Sequence, residues 1–259
     1  MRVLFLGDSL TEGVDGVSYL RRLEDKIAAD SRLRGLELIN RGCGGDTVQN
    51  LARRVRRDVV PAEPDLIIVL IGVNDCTMWL AAKSFPLPAT VRTRRYFRLE
   101  KQLPRAIAPE RFRDGLRVLI HALRAHTAAR IVLATPPTLG EHPQSRQRTA
   151  LSRYAREVRQ VAFELDCDVI DLFATFTREL RKHSSGQRTS FVEKLRARAA
   201  GGHDPDTLAR LRGYTFTYDG VHLTTRGADL ISDVIYDLLA ATMSQGGDGQ
   251  AVSSDASTA

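Results

Sequence analysis

Apolar positions along this chain fall into short unbroken runs separated by stretches of helical spacing. Val3 to Leu6 is the first run, and its lack of polar alternation predicts a strand buried on both faces. Leu36 to Asn40, Leu66 to Ile71, Ile131 to Ala134 and Val169 to Ile170 predict four more strands, of which the stretch from Leu66 is the most apolar. Between them lie amphipathic segments. Leu20, Leu23 and Ile27 mark the inner face of a helix over Ser18 to Ala29. Val48, Leu51, Ala52, Val55 and Val59 mark one within Asp46 to Val59, with Arg53, Arg54, Arg56 and Arg57 expected on the opposite, solvated side. Pro109 opens a helix whose stripe is Phe112, Leu116, Leu119, Ile120 and Leu123. Ser145 to Leu165 predicts a long helix, and Thr224 to Met243 a last one that buries Leu230, Ile231, Val234, Ile235, Leu238 and Leu239. Strands alternating with helices predict a parallel α/β sheet with right-handed crossovers.

Three segments depart from the alternation. Residues 77–108 show no regular period, and hold Trp79, Phe85, Tyr96 and Phe97 among prolines and a basic run. A stretch of that length is expected to form a lid or pocket wall, or else to patch the core with its aromatics. Residues 172–217 are charged and helical in composition, a surface excursion broken by Ser184-Ser185-Gly186 and Gly201-Gly202. From Ser244 the chain is polar and lacks aromatics, which predicts a disordered tail over 244–259 after a domain of 1–243.

Composition narrows the class. At 259 residues and 43% hydrophobic, the chain suits one large α/β domain. No apolar run approaches the ~20 residues that span a bilayer. Val3 enters a core strand almost at once, leaving no room for a cleaved signal peptide, and three cysteines fit a reducing compartment; both point to the cytoplasm. Cys43 and Cys76 lie inside motif stretches and are candidates to line the site. No paired Cys or His spacing suggests a metal site. A net charge of +7 raises nucleic acid or an anionic surface as a partner, but no nucleic-acid motif is present and helix faces account for most of the arginines. The oligomeric state is not legible.

Four stretches carry chemistry: Gly7-Asp8-Ser9, Asn40 to Thr47, Ile71 to Asp75 and Tyr218 to His222. Ser9 lies where open α/β sheets gather their ligands, at the carboxyl end of a strand, although a serine there also serves as a helix cap. Gly42, Gly44 and Gly45 suit backbone that approaches a ligand closely. They do not make a phosphate loop, because its Gly-Lys-Ser/Thr ending is missing. Asn74 reads as a turn cap or a site amide. Of six histidines, His222 alone has a carboxylate three positions earlier, Asp219, which can hold the imidazole tautomer. His121 and His126 fall on a helix, and His142, His183 and His203 in polar connections, with His142 close enough to a strand end to touch substrate.

Taken in order, the four stretches resemble the blocks of the SGNH (GDSL) hydrolases, a family of serine esterases and lipases, over roughly Arg2 to Leu239. The resemblance implies a flavodoxin-like three-layer α/β/α sandwich with a five-stranded parallel sheet. It implies Ser9 as nucleophile with His222 and Asp219, and an oxyanion hole from the backbone N–H groups of Ser9 and Gly45 and the Asn74 amide. Asp8 and Asp75 are expected to support these groups. The Gly-x-Ser-x-Gly elbow of α/β-hydrolases is absent, since Leu10-Thr11 follow Ser9. The implied activity is cleavage of small-molecule carboxylic esters through an acyl-enzyme, of short-acyl esterase or deacetylase type, with no cofactor. Alternatives are a lysophospholipase or acyl thioesterase, and, from another class, a basic binding protein with a vestigial hydrolase site.

Overall fold

Five parallel strands form one sheet in the order β2-β1-β3-β4-β5, where β1 is Arg2–Gly7, β2 Glu37–Gly42, β3 Leu66–Leu70, β4 Arg130–Ala134 and β5 Asp168–Ile170. The computed structural model describes residues 1–84, 107–142, 144–183 and 204–248. β1 from Val3 onward and all of β3 are buried, as unbroken apolar runs require. β2 and β5 are the edges and are partly exposed. Gly7 pairs with both Gly42 and Leu70, and Leu70 with Ala134, so the carboxyl ends of four strands finish level.

The connections supply helices α1 (Ser9–Glu12), α2 (Tyr19–Ala29), α3 (Val48–Asp58), α4 (Val73–Ser84), α5 (Pro109–His126), α6 (Arg146–Glu164), α7 (Leu172–His183), α8 (Pro205–Arg212) and α9 (Thr225–Asp248). Ser18 and Ser145 cap α2 and α6 through bonds from the Arg21 and Arg148 N–H groups. The chain moves outward from β1 to β2, then reverses across β1 to β3. Right-handed crossovers therefore put α2 and α3 on opposite faces. α2 packs with α9 on one face, and α3, α5 and α6 lie side by side on the other. The two layers bury Leu20, Leu23, Ile231, Ile235 and Leu239 on one side, and Val48, Leu51, Phe112, Leu116, Leu151 and Val158 on the other. Each such side chain contributes ~1.5–3 kcal/mol over its exposed state, opposed by chain entropy. The point where strand order reverses lies between β1 and β3, the usual ligand crevice of such sheets.

The structure corrects four expectations. Thr77 to Ser84 are not irregular but continue α4, whose Trp79, Leu80, Ala81 and Ala82 make no single stripe; residues 85–106 of the expected lid lie outside the described residues. The charged excursion is helical as expected, with α7 and α8 on either side of 184–203, which lie outside the described residues. But α7 is no surface element: its Leu172, Phe176 and Leu180 are buried in the core, and His183 is its last residue rather than part of a connection. The last helix runs on through Ser244 to Asp248, since extending a formed helix is far easier than nucleating one; 249–259 lie outside the described residues. Arg54 is not on a solvated face. It is buried, for reasons that belong to the site.

Candidate active site

The strand ends and the loop before α9 bring four stretches together. Ser9 is the first residue of α1, directly after β1, and is half-buried. Asp8 caps this short helix, its Oδ1 accepting the Leu10 N–H at 3.0 Å, so the cap is Asp8 and not Ser9. The Ser9 hydroxyl stands 3.1 Å from Nε2 of His222, and Nδ1 of that ring stands 2.7 Å from Oδ2 of Asp219. Oδ1 of Asp219 accepts the N–H groups of Val221 and His222, both at 2.8 Å, so the carboxylate is fixed to the loop it orients. The ring of Tyr218 stacks on the imidazole with centroids 5.9 Å apart.

That loop is held from below. Thr217 and Leu223 form an antiparallel bridge, and the Tyr218 N–H donates to the His222 carbonyl at 2.9 Å. The buried carboxylate of Glu141 accepts the N–H groups of Thr215, Phe216 and Thr217 and the Thr217 hydroxyl, at 2.6 to 2.8 Å. The Gly140 N–H donates to Gly220 at 2.7 Å. Glu141 thus ties the segment after β4 to the segment carrying His222. No sequence signal marks it, because its partners are backbone groups.

The second wall is the turn Cys43-Gly44-Gly45-Asp46, closed by the Asp46 N–H on the Cys43 carbonyl at 3.1 Å. Gly45 sits in the left-handed region, with φ of 74°. The Gly44 N–H is taken by Glu12 at 2.8 Å, whereas neither the Ser9 nor the Gly45 N–H has an acceptor among the described residues. Asn74, in the first turn of α4, donates through Nδ2 to the Asp46 carbonyl at 2.9 Å and makes a long 3.4 Å contact to Oδ2 of Asp8. One amide proton is thereby anchored and the other only loosely held.

Beneath these groups lies Arg54. Its Nε donates to Asp46 at 2.8 Å, Nη1 to Asp58 at 2.9 Å, and Nη2 to the carbonyls of Gly7 at 2.9 Å and Arg41 at 2.7 Å. One planar guanidinium therefore joins the ends of β1 and β2 to the turn that carries Gly45. Asp75 is fully buried, and both its oxygens face the Val48 N–H at the start of α3, at 3.3 and 3.4 Å. Cys76 is buried behind it and does not line the site; burial pushes its thiol up to about 12, so it is inert. Cys43 is half-buried in the turn. His142 is exposed, its Nδ1 accepting the Gln144 N–H at 3.3 Å.

Electrostatics follow from burial and partners. Burial acts against a charged His222, but the bond and the charge of Asp219, then the charges of Asp15 and Asp8, outweigh it and raise the imidazole above its usual value. Burial likewise opposes a charged Asp219, and the bonds from His222 and its backbone outweigh it, lowering that carboxyl. Asp8 and Asp75, sealed from water, are pushed up to about 7 and about 8. Among the described residues no group of His, Cys, Asp and Glu is placed to hold a metal ion, and no helix is long and apolar enough to cross a membrane.

Comparison with known proteins shows the family of the chain. The family model described as GDSL-like Lipase/Acylhydrolase matches residues 5–230. An acetylxylan esterase of Geobacillus stearothermophilus is 27% identical over 192 residues, covering 70% of this chain and 80% of the relative. An isoamyl acetate-hydrolyzing esterase 1 homolog of Rattus norvegicus is 24% identical over 202 residues, covering 71% of each. Among solved structures, a catalytic mutant of the Geobacillus acetylxylan esterase superposes with a TM-score of 0.65 at 20% identity, over 92% of this chain and 93% of that one. With the match spanning all four stretches, the chain belongs to the GDSL-like lipase/acylhydrolase family and is a carboxylic ester hydrolase of that type.

Proposed function

We propose that the chain is a cytoplasmic serine esterase that removes short acyl groups, such as acetyl, from small-molecule esters through an acyl-enzyme on Ser9. The observation that carries this reading is the unbroken line from the Ser9 hydroxyl to His222 at 3.1 Å and on to Asp219 at 2.7 Å. A hydroxyl becomes a competent nucleophile when a neutral imidazole takes its proton, and Asp219 holds the tautomer that leaves Nε2 free to do so. As Ser9 Oγ bonds to the carbonyl carbon, the carbonyl oxygen gains a negative charge. The N–H groups of Ser9 and Gly45 and the looser amide proton of Asn74 serve as its donors. Collapse of the tetrahedral centre breaks the bond to the alcohol, which leaves with the proton returned by His222. Water, deprotonated by the same ring, then cleaves the acyl-serine.

Two named relatives act on acetyl or acetate esters, which supports a small acyl group. Solved catalytic mutants of the Geobacillus enzyme replace a serine, a histidine, and an aspartate three positions before that histidine, the spacing of Asp219 and His222. The free thiols of Cys76 and Cys167 support a reducing compartment. The test combines mutation with labelling. Ser9→Ala and His222→Ala should each lose nearly all turnover of p-nitrophenyl acetate while keeping wild-type circular dichroism, and the double variant should be little worse than either. A fluorophosphonate should label wild type and not Ser9→Ala. Substantial turnover by Ser9→Ala would end the assignment, and faster cleavage of long-chain esters or lysophospholipids would move the substrate class to the lipase side.

A further inference from the structure

A cleft of about 1050 Å³ opens between α4, the first turns of α6 and the loop that carries Asp219. It lies beside that loop rather than directly over Ser9. We propose that this cleft receives the alcohol part of the ester, and that this alcohol is an anion bearing a carboxylate or phosphate. The proposal rests on the assignment of Ser9 and His222 made above.

Position is the first argument. The acyl group stays on Ser9, whereas the alcohol departs as His222 returns its proton, so the alcohol lies on the histidine side of the scissile bond. Asp219, Gly220 and Val221 form one wall of the cleft, and they are the histidine's own loop.

Charge is the second. Lys83, Arg146 and Arg153 line the cleft, and among the described residues none of them has a carboxylate within ion-pair distance. Elsewhere, Arg22, Arg117, Arg130 and Arg159 are each paired with an acid at 2.6 to 2.7 Å. The acid in the lining is Asp219, which is already committed to His222.

The third is convergence. Lys83 Nζ lies 4.1 Å and Arg153 Cζ 5.8 Å from the centre of the same Trp79 ring. The indole offsets part of the repulsion between the two cations it gathers, and an anionic ligand in the cleft would offset more. The amino end of α6 adds partial positive charge on the same side. A cleft in which one sign of charge predominates concentrates ligands of the other and raises their association rates by ~10 to 10³.

The test holds the acyl group constant and varies the alcohol. The acetate esters of para-hydroxybenzoate, of its neutral methyl ester and of para-hydroxyphenyl phosphate would be compared, each rate corrected for hydroxide-catalysed hydrolysis. Both anionic esters should exceed the neutral one in kcat/KM by about tenfold or more at low salt. The preference should shrink as the screening length falls from ~10 Å at 0.1 M to ~3 Å at 1 M. It should approach unity in a variant combining Lys83→Gln, Arg146→Gln and Arg153→Gln. The larger of the two anionic preferences tells carboxylate from phosphate. A neutral ester cleaved as fast as the anionic ones, or a preference undiminished in the triple variant, would overturn the anionic cleft while leaving the esterase intact. Failure of wild type to cleave any of the three, with no fluorophosphonate on Ser9, would overturn the esterase assignment and this proposal with it.

Discussion

Arg54 shows how much of the proposed reacting centre can hang on one buried side chain outside the line of Ser9, His222 and Asp219. Its four acceptors lie on Gly7, Arg41, Asp46 and Asp58, and the Asp46 carbonyl in turn holds Asn74. The groups proposed to receive the oxyanion are therefore spaced by one guanidinium. Removing one partner of a buried ion pair costs ~3–5 kcal/mol, so the informative change is Arg54→Lys, which keeps the charge but lacks the planar fork. Oxyanion donors act mainly in the transition state. Arg54→Lys should accordingly lower kcat about tenfold or more with KM little changed, toward the ~10²–10³ expected for Asn74→Ala. A lowered Tm with wild-type kcat would make Arg54 structural only. His222 supplies a second residue-scale test. Its pKa is held above 6.5, so the ring is protonated in mild acid, and kcat/KM should rise with pH through an ionisation above that value and then level. The same shift means that the charged pair with Asp219 adds stability below 6.5, which is lost as pH rises through the folded value. Asp219→Asn should move the limb to lower pH and depress the plateau by up to about 10⁴. An unmoved limb would show that Asp219 does not set the basicity of His222.

At the scale of elements, Asp75 joins α4 to the start of α3, and its burial makes that joint sensitive to pH. Its carboxyl is pushed from 3.8 up to about 8, and Asp8 from 3.8 up to about 7. For a raised carboxyl the fold favours the neutral form. Its contribution is whole below the unfolded value and is lost as pH climbs through the folded one. Wild-type Tm should therefore fall from about pH 6 to about pH 9, and Asp75→Asn, which keeps an acceptor oxygen without an ionisation, should lose less over that interval. Equal losses in calorimetry would rule out ionisation of Asp75 as a cause. The elements themselves were legible where apolar residues speak with one period. Val3 to Leu6 and Leu66 to Leu70 are unbroken runs, and α2, α3, α5 and α6 each carry one stripe. α4 was not legible, because its start, Gly72-Val73-Asn74-Asp75, has the composition of a turn and its apolar residues surround it. Ser9, Asn74 and His222 could be picked out as candidates because few residue types can do the chemistry proposed for them. Arg54 and Glu141 could not. Helical spacing gives only an angle, which sets Arg54 outside the apolar stripe with the other arginines of α3, and the groups both residues bind converge only once strands and loops are in place.

At the scale of the molecule, the site exists because the two ends of the fold meet. Ser9 and His222 are 213 positions apart, one after the first strand and the other just before the last helix. Ion pairs of Arg22 with Asp229 and of Lys26 with Asp233, both at 2.6 Å, run along the α2–α9 contact, but pairs this exposed contribute only ~0–1 kcal/mol each. The nearest link to the chemistry is backbone. The Val17 N–H donates to the Leu223 carbonyl at 3.0 Å, and Gly16 presses against the same carbonyl with φ of 82°. A Cβ on Gly16 would stand 2.7 Å from that oxygen and 3.3 Å from the Cβ of His222, so Gly16→Ala must push the His222 segment away from α1. Gly35 offers the control: its φ is 90°, nothing lies within 4 Å of an added Cβ, and it sits at the other end of β2. Both alanine variants should lose ~1 kcal/mol from the left-handed backbone, or a few °C in Tm. Only Gly16→Ala should also lose kcat, by about tenfold or more, with fluorophosphonate labelling of Ser9 slowed in step, because proton transfer between Ser9 and His222 requires hydrogen-bond distance. If Gly16→Ala matched Gly35→Ala in kcat as well as in Tm, the Gly16–Leu223 contact would not be what sets the distance between serine and histidine, and that task would fall to the loop's other bonds, to Glu141, Gly140 and Val17.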